Sequence, residues 1–115
     1  MKYIIPQDKI DKVVFKYLDI KGLEIREPKY LEGVVFAYPD KEYGTLGWKN
    51  NGTLYIYYEL INEISSTFGM VNSDSESIIG KWVSDRYQLE VRNTRRLFSE
   101  HLFYVSDRSQ LDRYL

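Results

Sequence analysis

The chain has 115 residues, 43% hydrophobic and 29% charged, which suits a single domain with its own core and a charged surface. It has no cysteine and a single histidine, His101, which excludes disulfides, thiol catalysis and Cys-based metal sites and nearly excludes a histidine-built one. The formal net charge is −1, so no global field points to nucleic acid or to a membrane.

The N-terminus, Met-Lys-Tyr-Ile-Ile-Pro-Gln-Asp-Lys, is charged too early for a secretion signal. No apolar run approaches the ~20 residues of a membrane span. A cytoplasmic protein is expected. Residues 7–20 follow: Ile10, Val13, Val14, Tyr17 and Leu18 fall at i, i+3, i+4, i+7 and i+8, which predicts a helix with one apolar face. Pro6 near its start and Gly22 past its end have the expected asymmetry. Residues 23–31 are charged and irregular, with Pro28 as a breaker.

Residues 33–38, Gly-Val-Val-Phe-Ala-Tyr, read as a strand ended by Pro39-Asp40. The stretch from Thr45 to Tyr58 organises the rest. It predicts strands at 45–50 and 53–58 around Asn51-Gly52, a pair that accepts the positive φ of a hairpin turn. With a two-residue loop, Trp48 faces Tyr55 and Leu46 faces Tyr57. One face then carries Leu46, Trp48, Tyr55 and Tyr57, and the other carries Leu54, Ile56 and Tyr58, the more aliphatic and the expected core face. A three-residue loop over Asn50–Gly52 would instead set Trp48 opposite Leu54. Since a slip of one residue turns a strand over, the face assignment depends on the loop.

Leu60, Ile61, Ile64 and Phe68 then give helical spacing over 59–68, with Gly69 as the C-terminal cap. Ser73-Asp-Ser-Glu76 reads as a capping box opening a helix to Tyr87 that buries Ile78, Ile79, Trp82 and Val83, with Tyr87 a further candidate. Residues 88–92 alternate as a strand, 93–99 read as a turn or loop, 102–105 as a further strand and 107–115 as a short helix.

Three kinds of chemistry are candidates. The helix pair 59–87 resembles a winged helix-turn-helix in outline, but Asp74 and Glu76 open its second helix, where they would repel phosphates. Charge is segregated along the chain. From Lys81 to Arg96 there are five cations (Lys81, Arg86, Arg92, Arg95, Arg96) against two anions (Asp85, Glu90), a local +3. Residues 46–80 hold Lys49 against Glu59, Glu63, Asp74 and Glu76, a local −3. The arginines could form a basic edge for phosphates or an acidic partner. Catalysis finds little support: Glu27-Pro28-Lys29 has the tail of a nuclease metal motif, but Pro28 breaks the strand it needs, and no P-loop or nucleophile elbow is present.

Two stretches carry a resemblance: Glu63-Ile-Ser-Ser-Thr-Phe-Gly69, and Ile79-x-x-Trp82-x-x-x-x-Tyr87-x-Leu89-x-Val91. Preceded by the hairpin, they resemble small uncharacterised accessory proteins encoded by tailed phages, particularly of marine type. The likeness covers residues 45–91. It implies no activity; it implies a small accessory protein of the host cytosol that binds a macromolecule.

The expectation is therefore one α+β domain over residues 1–115. Its antiparallel sheet has three to five strands, with an N-terminal helix and a central helix pair packed on it. The expected function is a non-enzymatic binding module, without cofactor or metal, for a protein partner or for self-association as a homodimer. Its surface is the aromatic face Trp48, Tyr55 and Tyr57, which the eleven tyrosines of the chain make prominent, beside the basic edge Arg86, Arg92, Arg95 and Arg96. The alternative is nucleic-acid binding through the helix pair and the Arg92–Arg96 turn. No membrane role is expected.

Overall fold

A computed structural model describes residues 7–26, 32–39, 41 and 44–98. The elements in chain order are α1 (Gln7–Asp19), β1 (Glu24–Arg26), β2 (Gly33–Ala37), β3 (Leu46–Lys49), β4 (Thr53–Tyr57), α2 (Tyr58–Phe68), α3 (Asn72–Tyr87) and β5 (Asn93–Leu97). The sequence-predicted strand at 102–105, the helix at 107–115 and His101 lie outside the described residues.

The fold is α+β, with a five-stranded sheet in the order β1-β2-β3-β4-β5. β1 to β4 pair antiparallel, and β5 pairs parallel to β4. The sheet is therefore mixed rather than wholly antiparallel. The parallel pair follows from the helix pair: α2 and α3 carry the chain back to the start of β4, as a parallel connection requires.

The hairpin takes the three-residue loop. Trp48 pairs with Leu54, Gly47 with Tyr55 and Leu46 with Ile56. Gly52 N–H donates to the Lys49 carbonyl at 2.9 Å, and Gly52 adopts φ +94°, the left-handed residue that closes such a loop. Asn51 Oδ1 accepts from the Thr53 amide at 3.1 Å. This overturns the two-residue register and moves Trp48 to the face of Leu54 and Ile56.

That inner face, with Ile25, Val34, Phe36, Leu46, Trp48, Leu54 and Ile56, receives the helices. α1 contributes Val14 and Leu18, α2 contributes Leu60, Ile61 and Ile64, and α3 contributes Ile78, Ile79, Trp82 and Val83. The helical periods read from the sequence are thus the buried stripes. Gly80 lets α3 approach β5: a Cβ there would lie 3.3 Å from the Thr94 methyl.

On the outer face Val35 and Ala37 form a second small cluster with Tyr55, Tyr57 and Leu97. Gly44 sits against Val35, where a Cβ would come within 2.1 Å of Val35 Cγ1. Arg26, almost fully buried, donates to the carbonyls of Lys41, Pro39 (2.6 Å) and Tyr38 (3.1 Å). β1 thus exists where an irregular segment was predicted, because Ile25 pairs with Phe36 and Arg26 satisfies the carbonyls of the connection.

Two further expectations fail locally. The capping box does not form: α3 starts at Asn72 with Val71 as N-cap and no side-chain cap bond. Ser75 Oγ instead meets Ser65 Oγ at 2.7 Å, and Ser65 Oγ donates to Asn72 Oδ1 at 2.7 Å, so hydroxyls tie α3 to α2. The strand expected at 88–92 lies at 93–97, where a loop was predicted. Gln88 takes φ 57° and turns the chain out of α3. Leu89 and Val91 pack on the core as the segment returns, and the ladder begins only beside Thr53.

Candidate binding surface

The sequence-predicted surface is divided by the fold. Tyr55 and Tyr57 share the outer face, half-buried. Trp48 does not join them: the three-residue loop places it on the inner face, half-buried, where its indole N–H donates to the Glu90 carbonyl at 2.9 Å. A joint Trp48/Tyr55/Tyr57 platform is therefore corrected to a Tyr55/Tyr57 pair.

The four arginines are also separated. Arg86, on α3, grips Asp19 at the end of α1, with Nε 3.0 Å from Oδ1 and Nη2 3.1 Å from Oδ2, and its guanidinium lies 5.3 Å from the Phe15 ring centroid. It belongs to the helical layer and not to the sheet edge. Arg92 pairs with Glu90 at 3.3 Å and lies over the hairpin turn, within 2.9 Å of where a Gly52 Cβ would be. Arg96 points to the helical side and pairs with Glu76 of α3. Arg95 stands on the outer face opposite Tyr55 in the ladder and, among the described residues, makes no ion pair.

These placements follow from β5. Its alternation sends Asn93, Arg95 and Leu97 outward and Thr94 and Arg96 inward. Its start is pinned to the hairpin, since Arg92 N–H donates to the Gly52 carbonyl at 2.7 Å. β5 is the terminal strand of the sheet, so among the described residues no strand flanks its other side. An open groove of about 800 Å³ runs along this edge, lined by Asn51, Tyr55 and Arg95 on one side and by Glu76, Thr94 and Arg96 on the other. Its chemistry is a row of backbone donors and acceptors flanked by two guanidinium groups and a tyrosine ring.

The helix pair makes a poorer site. The exposed cations of α3 are spoken for: Lys81 lies 3.7 Å from Asp11, and Arg86 is held by Asp19 and Asp85. Ile78, Ile79, Trp82 and Val83 bury one side of α3, and Gly80 faces β5. No unpaired cation on α3 remains to meet a phosphate.

Sequence reasoning missed two clusters of ionisable groups. Lys21 lies between the rings of Tyr17 (4.9 Å) and Tyr38 (5.8 Å), pairs with Glu63 and donates to Tyr38 Oη at 3.2 Å. Tyr17 donates to the same Glu63 carboxylate. Burial pushes the Glu63 carboxyl up, but the Lys21 ammonium and Tyr17 hydroxyl together hold it below its usual range. Burial likewise pulls the Lys21 ammonium down, yet Glu63 and Tyr38 outweigh it and raise its pKa. The hydrogen bond that Tyr17 donates to Glu63 raises the pKa of Tyr17. The second cluster is Asp19, which also accepts from Trp82 Nε1 at 2.8 Å; its carboxyl is held low chiefly by Arg86. Both clusters join partners tens of residues apart, and no local spacing signals such pairs. Among the described residues no group of three or more acidic, histidine or cysteine side chains could hold a metal ion.

No helix among the described residues is long and apolar enough to cross a membrane. In comparisons with known proteins, no family model matches the chain, and neither a curated protein nor a solved structure is significantly similar to it.

Proposed function

We propose that the chain is a protein-binding module that takes an extended, acidic segment of its partner along the open edge of β5. The observation that carries this reading is Arg95, exposed and, among the described residues, without an ion pair, on the strand that ends the described sheet and whose edge is grooved. In edge-strand recognition, main-chain hydrogen bonds supply affinity and side chains beside the edge supply selectivity. Arg95 would pair with a carboxylate of the added segment, and the half-buried Tyr55 would pack against its side chains. The role is one of binding without chemistry of its own.

The test is a titration with an extended glutamate-rich peptide, followed by backbone amide shifts. The reading expects shifts concentrated at residues 93–97 and their loss on Arg95→Glu. Shifts spread over α3, or binding unchanged by Arg95→Glu, would sink it. Self-association through the same edge would be seen as a doubled mass in solution.

A second reading, single-stranded nucleic acid, is favoured by one feature, the Tyr55 ring beside an unpaired arginine, which suits a stacked base and its phosphate. It expects an oligonucleotide to bind with steep salt dependence where the peptide does not.

A further inference from the structure

The outer face of α1 is a separate surface that the proposed edge site does not use. Lys9, Lys12, Val13 and Lys16 of α1 and Ile20 just beyond it are all exposed. Ile20 still belongs to the helical turn, because its amide donates to the Lys16 carbonyl at 3.2 Å. At 100° per residue the five side chains fall within one arc of about 100°, in a line about 16 Å long. Val13 is 42% exposed and Ile20 77% exposed, so this stripe carries two of the four large apolar side chains left in water among the described residues.

Its charge is of one sign. Among the described residues Lys9, Lys12 and Lys16 make no ion pair, whereas the two acids of α1 with described side chains are both neutralised by cations of α3. Asp11 faces Lys81 at 3.7 Å, and Asp19 is gripped by Arg86 at 3.0 Å. The fold has drawn the acids to one flank and left a cationic stripe with aliphatic side chains, on a chain whose net charge is only −1.

We infer that this face of α1 docks on an anionic lipid surface. Three unpaired ammonium groups call for an anionic partner. The partner must also accept Val13 and Ile20, which a row of duplex phosphates would leave in water. The opposite side of α1 is packed into the domain: Val14 and Leu18 are fully buried, and Tyr17 meets Phe68 edge-on at 5.4 Å. A helix held this way cannot be enclosed by the apolar groove that helix-in-groove recognition uses. It can meet a broad surface, and a bilayer interface offers headgroup charge and acyl boundary in one plane. The lysine stems allow the ammonium groups to reach the headgroups while Ile20 inserts. Binding of this size is weak and reversible. Each lysine near an anionic surface contributes about 1 kcal/mol, or about a five-fold change in partition.

The test is flotation of the full chain with vesicles of phosphatidylcholine alone and of equal parts phosphatidylcholine and phosphatidylserine. Partition onto the anionic vesicles is expected to exceed that onto the neutral ones by about 100-fold, the product of three lysines. Lys12→Gln should lower it about five-fold. Lys41→Gln, which removes the same charge from an exposed position elsewhere, should leave it unchanged. Ile20→Ser should lower it with no change in charge. The inference is overturned if the chain fails to float with anionic vesicles, which would leave an acidic protein surface as the occupant. It is overturned equally if neutral vesicles bind as well, or if Lys41→Gln costs as much as Lys12→Gln.

Discussion

Replacing Asp19 by alanine would remove the acceptor of a buried donor. Trp82 is 1% exposed, and its indole N–H finds its hydrogen bond at Asp19 Oδ1, 2.8 Å away. An acid in the last turn of a helix is otherwise unfavourable, since it faces the negative end of the dipole. Its presence at the end of α1 is explained by the donors that α3 aims at it. A buried N–H left without a partner costs about 1–3 kcal/mol, and Asp19→Ala should destabilise the domain by about that much. Asp19→Asn keeps a carbonyl oxygen for the indole and removes only the charge that Arg86 meets. Because that ion pair is substantially exposed on both sides, the asparagine variant should lose much less than the alanine variant.

Urea unfolding at neutral pH measures both, with the slope checked for constancy. The pH dependence gives a second, independent reading. The Asp19 carboxyl is held low by Arg86 and, further, by Trp82, while burial opposes them. Its folded pKa thus lies below the unfolded one. The stability it contributes is complete above the ordinary carboxylate range and is lost as the pH falls through the folded value. Wild type should lose stability along this acid limb more steeply than Asp19→Asn. If asparagine proves as damaging as alanine, or alanine costs less than about 0.5 kcal/mol, the buried indole N–H is not what Asp19 serves.

Three other outcomes are expected. Gly33→Ala should cost about 3 kcal/mol or more in the same unfolding assay, because the new Cβ would fall 1.7 Å from the Trp48 carbonyl oxygen and force β2 off β3. Glu63→Gln should cost about 1 kcal/mol at neutral pH and flatten the acid limb of the stability profile, since the lowered Glu63 carboxyl contributes above its usual range and is silenced as pH falls; a profile identical to wild type would refute this. In Trp48→Phe the remaining emission comes from buried Trp82 and should resist acrylamide, whereas in Trp82→Phe it comes from half-buried Trp48 and should be quenched.

What could be read from the sequence was periodic. The stripes Val14/Leu18, Leu60/Ile61/Ile64 and Ile78/Ile79/Trp82/Val83 repeat with the helix, and the three helices lie within two residues of where that repeat puts them. β2, β3 and β4 were legible from β-branched and aromatic runs broken by Pro39 and Asn51-Gly52. What depended on a distant partner was not. β5 has the polar sequence Asn-Thr-Arg-Arg-Leu and is a strand because β4 lies beside it. The more strand-like Leu89 and Val91 fall where the chain is still leaving α3. The faces of Trp48 and Tyr55 turned on one residue of loop length, and both lengths suit the same Asn-Gly pair. The charged side chains fared worst: Arg86 reads as part of a basic run, but its carboxylate is 67 residues away. The same segregation made a net charge of −1 uninformative about α1.

The parallel β4–β5 pair also sets an order of assembly. β1 to β4 close through short connections, but Tyr57 and Asn93 are separated by the whole helix pair, and bringing them together carries the entropy of a long loop. β5 can dock only after α3 has settled, because its approach runs over Gly80 and its first bonds are to Gly52. Its place in the sheet therefore depends on the helix pair. The arginine-flanked edge exists as a surface only in the completed domain. A segment that binds there selects the closed form and should raise the stability of the whole chain with the logarithm of its concentration above Kd.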